Sequence, residues 1–271
     1  MKVHIVASEQ AGYFQVVFKA LELIDTKKFK NKQHHVSMGM VTLTDRKMSS
    51  RTGDVVTVDF LLDEVKKKVD ELFSDDRVGV DEKEKIAEEV TIGAVKHSVL
   101  RVGAIQNVAF SIDKSVSLEG DSGPYLQYTF VRTKSILKKS EIRNPKSEKP
   151  HKPLAISHKL EQEELSLLRQ LSRFPEAVEN AALKYNPSIV ASYLFDLAQM
   201  FNNFYQKHSI LDPVIASDPP AGGERGNLGI ASSQAPRNDN IRAFRLALTD
   251  AVGRRMKDGL NLLGIKAPEK M

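Results

Sequence analysis

The first apolar run of the chain, VHIVA from Val3, is short, β-branched and bounded by small and polar residues, which is a strand pattern. Behind it Phe14, Val17, Phe18, Leu21 and Ile24 recur at helical spacing, so the opening reads strand, turn, helix. A second strand-like stretch, HHVSMGMVTL, gives way to the polar loop TDRKMSSRTGD and then to a further β-branched segment, VVTVDF. From Asp81 the pattern turns helical, with Ile86, Val90, Ala94, Val99 and Val102 on one face and Gly93 and Gly103 permitting close approach. A parallel sheet needs several strands, and this chain supplies two or three before it becomes helical, so the sheet reads as incomplete.

Helices dominate from there on. EGDSGPYLQY offers a helix start, with Asp121 or Ser122 as N-cap, Pro124 in the first turn, and Tyr125, Tyr128 and Ile136 along the following face. Glu119 and Asp121 fit that helix start better than a catalytic carboxylate pair, because carboxylates there meet unpaired N–H groups and the positive end of the dipole. EQEELSLLRQLSRF, PEAVENAALKY and PSIVASYLFDLAQMFNNFYQKH follow as three amphipathic helices. The last of them puts Ile189, Tyr193, Leu197, Phe201 and Phe204 or Tyr205 on one side, the pattern of a bundle core. Residues 216–240 are rich in Gly, Pro, Ser and Asn and read as a loop, and a final helix is expected over about 241–263.

Composition narrows the function classes. The 271 residues contain no cysteine and no tryptophan, which excludes a disulfide framework, a thiolate zinc site and a cysteine nucleophile. His34 and His35 are adjacent and His97, His151, His158 and His208 are isolated, so no metal site is expected. No run approaches the roughly 18 apolar residues of a membrane span, and MKVHIVASEQ lacks a signal-peptide pattern, so a soluble cytoplasmic protein is expected. The net charge of +5 is uneven: positions 132–159 hold nine Lys and Arg against two Glu, a local excess of seven. Such a block is either a solvated linker, here with Pro145, Pro150 and Pro153, or a nucleic-acid contact.

The loop Arg46-Lys47-Met48-Ser49-Ser50-Arg51-Thr52-Gly53 combines cations, hydroxyls and a glycine between strand-like segments, the chemistry that holds phosphate oxygens, with Lys47 as a point charge and Arg51 as a fork. By composition it is equally a solvated basic loop. Its order, however, resembles the KMSKS signature of class I aminoacyl-tRNA synthetases. Four further stretches resemble one member of that class, the arginyl-tRNA synthetase family, in that family's order: HIVASEQAGYFQVVFKALEL, HHVSMGMV, FSIDKSVSLEGDSGPYLQY and the C-terminal RLALTDAVGRRMKDGLNLLGIKAPEKM.

The resemblance implies an α/β part followed by an all-α part. These are the C-terminal half of a Rossmann-type catalytic domain over 1–118 and a helical-bundle anticodon-binding domain over 119–271. It implies that Lys47, Ser49 and Arg51 meet ATP phosphates during adenylate formation, with Met48 and Ser50 in the same ATP-binding loop, and that Mg2+ arrives with ATP. Gln10 would line the arginine pocket, or be a surface amide after a strand. Tyr205 and Met271 would lie near the anticodon, where a ring stacks on an unpaired base. Arg237, Arg242, Arg245, Arg254, Arg255 and Lys257 would offer phosphate contacts along the last helix, or pair with Asp239, Asp250 and Asp258.

Departures accompany the matches. The HIGH signature and the arginine-binding strands that precede this region in the family are absent from these residues, and Tyr13 stands where the family carries His. Ser50 replaces the second signature lysine, with Arg51 next, as arginyl enzymes often have it. The expected function is therefore that of arginine-tRNA ligase, with arginine tRNA, L-arginine and ATP as partners and a missing N-terminal catalytic half as a further one. The alternative is a non-catalytic tRNA-binding module.

Overall fold

Two parallel strands open the fold, β1 (Lys2–Ala7) and β2 (Gln33–Met38), with Lys2 opposite Gln33 and Ala7 opposite Met38. A parallel pair requires a crossover, supplied by a 3-10 turn at Ser8–Gln10, α1 (Ala11–Ile24) and α2 (Thr26–Phe29). The computed structural model describes residues 1–44, 57–72, 80–143, 159–211 and 235–271. Phe14 and Phe18 cover His4, each with ring centroids 5.3 Å away, and Phe14 stacks on His35 at 5.0 Å. No residue of 1–44 is fully buried. Ile24, expected on the covered face, is exposed at the end of α1, as are Ile5, Tyr13, Val16 and Leu23. The unit leaves one apolar side open.

HHVSMGMVTL is not one strand. β2 stops at Met38, and β3 (Val41–Leu43) belongs to a second two-stranded parallel sheet. Gly39 makes the break: a Cβ there would fall 2.1 Å from the carbonyl oxygen of Gln106. Its N–H donates to Ala104 O at 2.8 Å, and the N–H of Met40 donates to Asn107 Oδ1 at 2.8 Å. At VVTVDF the described residues do not continue a strand, since Val58 opens α3 (Val58–Leu72), while Val55 and Val56 lie outside the described residues. Thr57 Oγ1 accepts a hydrogen bond from the Phe60 N–H at 3.2 Å, and Asp59 sits in the first turn, so capping overrides the β-branched composition. The signature loop falls outside the described residues.

α4 (Val80–Leu100) follows as expected, with Val102 beyond its end, and then the chain returns to the sheet as β4 (Val108–Phe110), which pairs with β3. This late strand corrects the expectation that the chain stays helical. α3, α4, β4 and the short α5 (Ile112–Ser115) bury Val65, Val69, Val90, Ala94 and Phe110 in one apolar cluster.

α6 (Gly123–Arg143) is capped by Ser122, whose Oγ accepts from the Tyr125 N–H at 3.1 Å. Asp121 is not the cap: its carboxylate accepts from Arg101 at 3.1 Å and lies 3.3 Å from His97 Nε2. The first half of the basic block is therefore helix rather than linker, running through Arg132, Lys134, Lys138 and Lys139 on α6. A Cβ on Gly123 would meet Gly93 O at 2.3 Å, so α4 and α6 cross in near-backbone contact. α7 (Gln162–Ser172) starts with a capping box in which Glu164 accepts from the Glu161 N–H at 2.9 Å. α8 (Phe174–Leu183) and α9 (Ser188–Lys207) complete the three expected helices. α10 (Ala235–Leu262) begins six residues before its expected start, so 235–240 belongs to a helix and not to a loop. Together α6 to α10 enclose a second apolar cluster around Leu126, Leu194, Phe201, Phe204, Met256 and Leu260. The expected α/β part followed by an all-α bundle is what forms. Among the described residues no helix is long and apolar enough to cross a membrane.

Candidate nucleic-acid interface

The inward stripe of α9 takes Tyr193, Leu197, Phe201 and Phe204 into the core, which turns Tyr205 outward at 42% exposure. Across from it, α6 presents Tyr128, 37% exposed, and Arg132 one turn later. The Arg132 guanidinium carbon lies 4.8 Å from the ring centroid of Tyr128 and 5.3 Å from that of Tyr205, so the cation is held between two exposed aromatic rings. Asn202 fixes it there: its Oδ1 accepts from Arg132 Nη1, while its Nδ2 donates to Tyr125 OH at 2.9 Å and Thr129 Oγ1 at 3.2 Å. Thr129 Oγ1 in turn donates to Tyr125 O at 2.9 Å. Flat π-faces beside a fixed positive charge suit an unpaired base and its phosphate.

The structure separates the other expected contacts. Arg245, expected to face RNA, is only 7% exposed. Its Nε donates to Glu164 Oε1 at 2.8 Å, its Nη1 to Ser209 O at 2.9 Å, and His208 Nδ1 lies 3.4 Å away. Glu164 is fully buried and needs that charge, so Arg245 braces the bundle and is corrected from the RNA-contacting set. Arg254 pairs with Asp250, and Arg255 with Asp258 at 3.1 Å, as the helical spacing allows. Arg255 also lies over the Phe174 ring at 5.1 Å. Arg242 is half-buried, with its Nε lacking a hydrogen-bond partner, and Lys257 is exposed. The side chain of Arg237 is outside the described residues. Met271 packs half-buried against both apolar clusters.

Gln10 is exposed at the carboxyl end of β1, the edge where ligands of parallel α/β sheets sit. Lys47, Met48, Ser49, Ser50 and Arg51 lie in the segment beyond β3 that the described residues omit. Among the described residues no three His, Asp or Glu gather where a metal ion would bind. Among the described residues, His97 and Glu163 are two whose surroundings lower their pKa. Burial pushes His97 down to about 4, against the opposing pull of Asp121 and with a smaller push from Arg101. Hydrogen bonds from Lys207 at 2.6 Å and His208 at 3.1 Å hold the Glu163 carboxyl down at about 2. Asn202 carries no signal in the sequence, and Arg132 enters there only as the first residue of the basic block over 132–159. The i, i+4 spacing of Tyr128 and Arg132 was the available signal, but nothing local links either to Asn202.

Residues 126–271 match the family described as the DALR anticodon binding domain, and residues 1–112 match the catalytic domain of class I tRNA synthetases (R). The arginine-tRNA ligase of Halothermothrix orenii is 34% identical over 99% of this chain and 42% of its own length. That of Flavobacterium psychrophilum is 31% identical over 99% of this chain and 40% of its own. Among solved structures, arginyl-tRNA synthetase of Thermus thermophilus superposes with a TM-score of 0.77 at 28% identity, over 99% of this chain and 41% of that one. The Plasmodium falciparum arginyl-tRNA synthetase shares the fold, with a TM-score of 0.69 at 20% identity, over 99% of this chain and 41% of that one. This chain thus spans about 42% of the first of these curated relatives. With the anticodon-binding match extending over more than half of its residues, the chain belongs to the arginyl-tRNA synthetase family, carrying its DALR domain and part of its class I catalytic domain.

Proposed function

We propose that this chain supplies the anticodon-arm-binding surface and the signature loop of an arginine-tRNA ligase, acting in cytoplasmic protein synthesis. The single observation that carries this reading is the Tyr128–Arg132–Tyr205 platform on the surface of the DALR domain. Its exposed rings stack on anticodon-loop bases, and neighbouring cations contact phosphates. Phosphate contacts set affinity and base contacts set sequence preference.

In the complete reaction the arginine carboxylate attacks the α-phosphate of ATP, pyrophosphate leaves, and a 2' or 3' hydroxyl of the terminal adenosine takes the aminoacyl group. ATP enters as substrate together with Mg2+. Lys47, Ser49 and Arg51 stabilise charge on the departing pyrophosphate, with Met48 and Ser50 in the same loop, and Gln10 faces the arginine. We place the domain division at 118/119, supported by Val116 packing in the first apolar cluster and Leu126 in the second.

The open apolar side of α1 and β1, with Ile5, Tyr13, Val16 and Leu23 exposed, supports a second element of the reading. The remainder of the catalytic domain covers that side in the active ligase, and this chain by itself is a tRNA-binding module without ligase activity. The test is a pair of assays on the purified chain: binding of an arginine tRNA transcript, and formation of arginyl-tRNA. Binding without aminoacylation supports the reading. Absence of binding contradicts the interface, and tRNA-dependent pyrophosphate exchange by the chain alone contradicts the need for a further catalytic part.

A further inference from the structure

Gly264 ends α10. It adopts φ +66°, and the Ile265 N–H reaches back to Leu260 O at 2.9 Å, the closure that a glycine permits at a helix C-terminus. The chain then turns across α4. Ile265 and Pro268 are buried, and Met271 packs against both apolar clusters. Polar contacts hold the same segment: Lys96 Nζ donates to Gly264 O at 2.5 Å, Lys266 pairs with Glu89 at 3.7 Å, and Lys270 with Glu82 at 2.9 Å.

Gln127 is the centre of this arrangement. It is fully buried on α6, and its Nε2 donates to Glu89 O on α4 at 3.1 Å and to Lys266 O on the tail at 2.8 Å. One amide therefore bridges main-chain carbonyls of two elements that lie 38 and 139 residues away. The slot it fills exists because position 93 is glycine: a Cβ there would lie 2.6 Å from Gln127 Oε1. The next residue on α6 is Tyr128, one wall of the aromatic platform.

We propose that Gln127 is a positioning residue for the RNA-binding surface. It pins residues 264–271 to α4, so that the tail, with Met271 at its end, is held in fixed register with α6 and Tyr128. The pinning is independent of ligand, and its consequence for RNA rests on the reading given under Proposed function.

The test uses the whole chain and three variants: Gln127→Met, which keeps the length and removes both donors, Gln127→Asn, and Lys96→Met, which removes a neighbouring tail contact. Hydrogen–deuterium exchange is followed in peptides covering 264–271 and, as reference, α7 to α9. Loss of the buried donors unties Lys266 O from α6, so tail exchange in Gln127→Met rises roughly tenfold or more while α7 to α9 hold their protection. Lys96→Met raises tail exchange by roughly threefold as a comparison, and Gln127→Asn, which keeps the amide but draws it back by one methylene, decides the question if Gln127→Met does not fold. In parallel, fluorescence anisotropy with an arginine tRNA transcript shows roughly tenfold weaker binding for Gln127→Met with an unchanged salt slope, because no phosphate contact is removed. Unchanged tail exchange in the folded Gln127 variants overturns the pin. Raised tail exchange with unaltered RNA affinity overturns its link to RNA. If the parent chain binds no RNA, the proposed function fails, while the exchange data still judge the pin.

Discussion

Arg132 on α6 and Asn202 on α9 are joined by a hydrogen bond across 70 residues of sequence, and this bond holds a guanidinium between two exposed tyrosine rings. An arginine free to rotate loses side-chain entropy when it meets a ligand, and one already fixed loses less. Asn202 carries that preorganisation through its bonds to Arg132, Tyr125 and Thr129. Replacing it by leucine frees the guanidinium and removes the anchor of Tyr125 and Thr129. Asn202→Leu is expected to weaken RNA binding by about fivefold, through loss of about 1 kcal/mol of hydrogen bonding. Anisotropy titration measures the change, and unaltered binding in a folded variant would remove preorganisation from the account.

In the proposed stacking role Tyr205 contributes its ring face rather than its hydroxyl. Tyr205→Phe is therefore expected to bind RNA within about twofold of the parent, while Tyr205→Ala loses about 1–3 kcal/mol, the usual worth of one base–aromatic stack. Equal losses for the two variants would show that the ring is not a stacking surface.

Arg245 differs from the exposed cations in its partner, a fully buried Glu164. Arg245→Met leaves that carboxylate without its cation, and a loss of about 3–5 kcal/mol is expected in denaturant unfolding. At temperatures where the variant stays folded, its RNA affinity should match the parent's. A stable variant with weakened RNA binding would return Arg245 to the interface.

His97 makes the fold sensitive to mild acid. Burial holds its pKa at about 4, below the ordinary 6.5, so the unfolded chain binds a proton that the folded chain refuses. Its contribution to stability is complete above about pH 6.5 and fades as the pH falls toward about 4. Thermal midpoints measured across that window should drop for the parent chain and drop less for His97→Gln. Parallel curves for the two proteins would contradict this assignment.

Gly123 tests the joint between the two parts. Its substitution by alanine would set a Cβ 2.3 Å from Gly93 O, against backbone that has no side chain to move aside. Forcing the helices apart is expected to cost about 1–3 kcal/mol, read as a lower denaturation midpoint. An alanine variant as stable as the parent would mean that α4 and α6 are not in close contact.

Periodicity made the bundle legible, because α7, α8 and α9 each carry a continuous apolar stripe and a local start signal. The sheet was harder to read. Gly39 splits an apparently continuous strand through a contact with Gln106, and β4 has only three residues. α3 was hidden by Val55, Val56 and Val58, whose β-branched composition gives no sign that Thr57 caps a helix. At the candidate interface Tyr205 was legible only through the family resemblance, since the apolar stripe left Phe204 and Tyr205 as alternatives. Asn202 and Gln127 were not, since an amide declares its role only through partners distant in sequence. The same holds for Arg245, expected with the other cations of the last helix to contact phosphates or pair with a nearby Asp: its partner Glu164 lies 81 residues away.

The proposed function of this chain is to read the anticodon arm of arginine tRNA. It is tested most directly by titrating the chain with arginine tRNA and with the same transcript carrying a changed anticodon, each at two salt concentrations. Weaker binding of the changed transcript is expected, with both affinities falling as salt rises, if base stacking and readout sit on a phosphate-binding platform as proposed. Equal affinity for the two RNAs, or no binding of either, would contradict it.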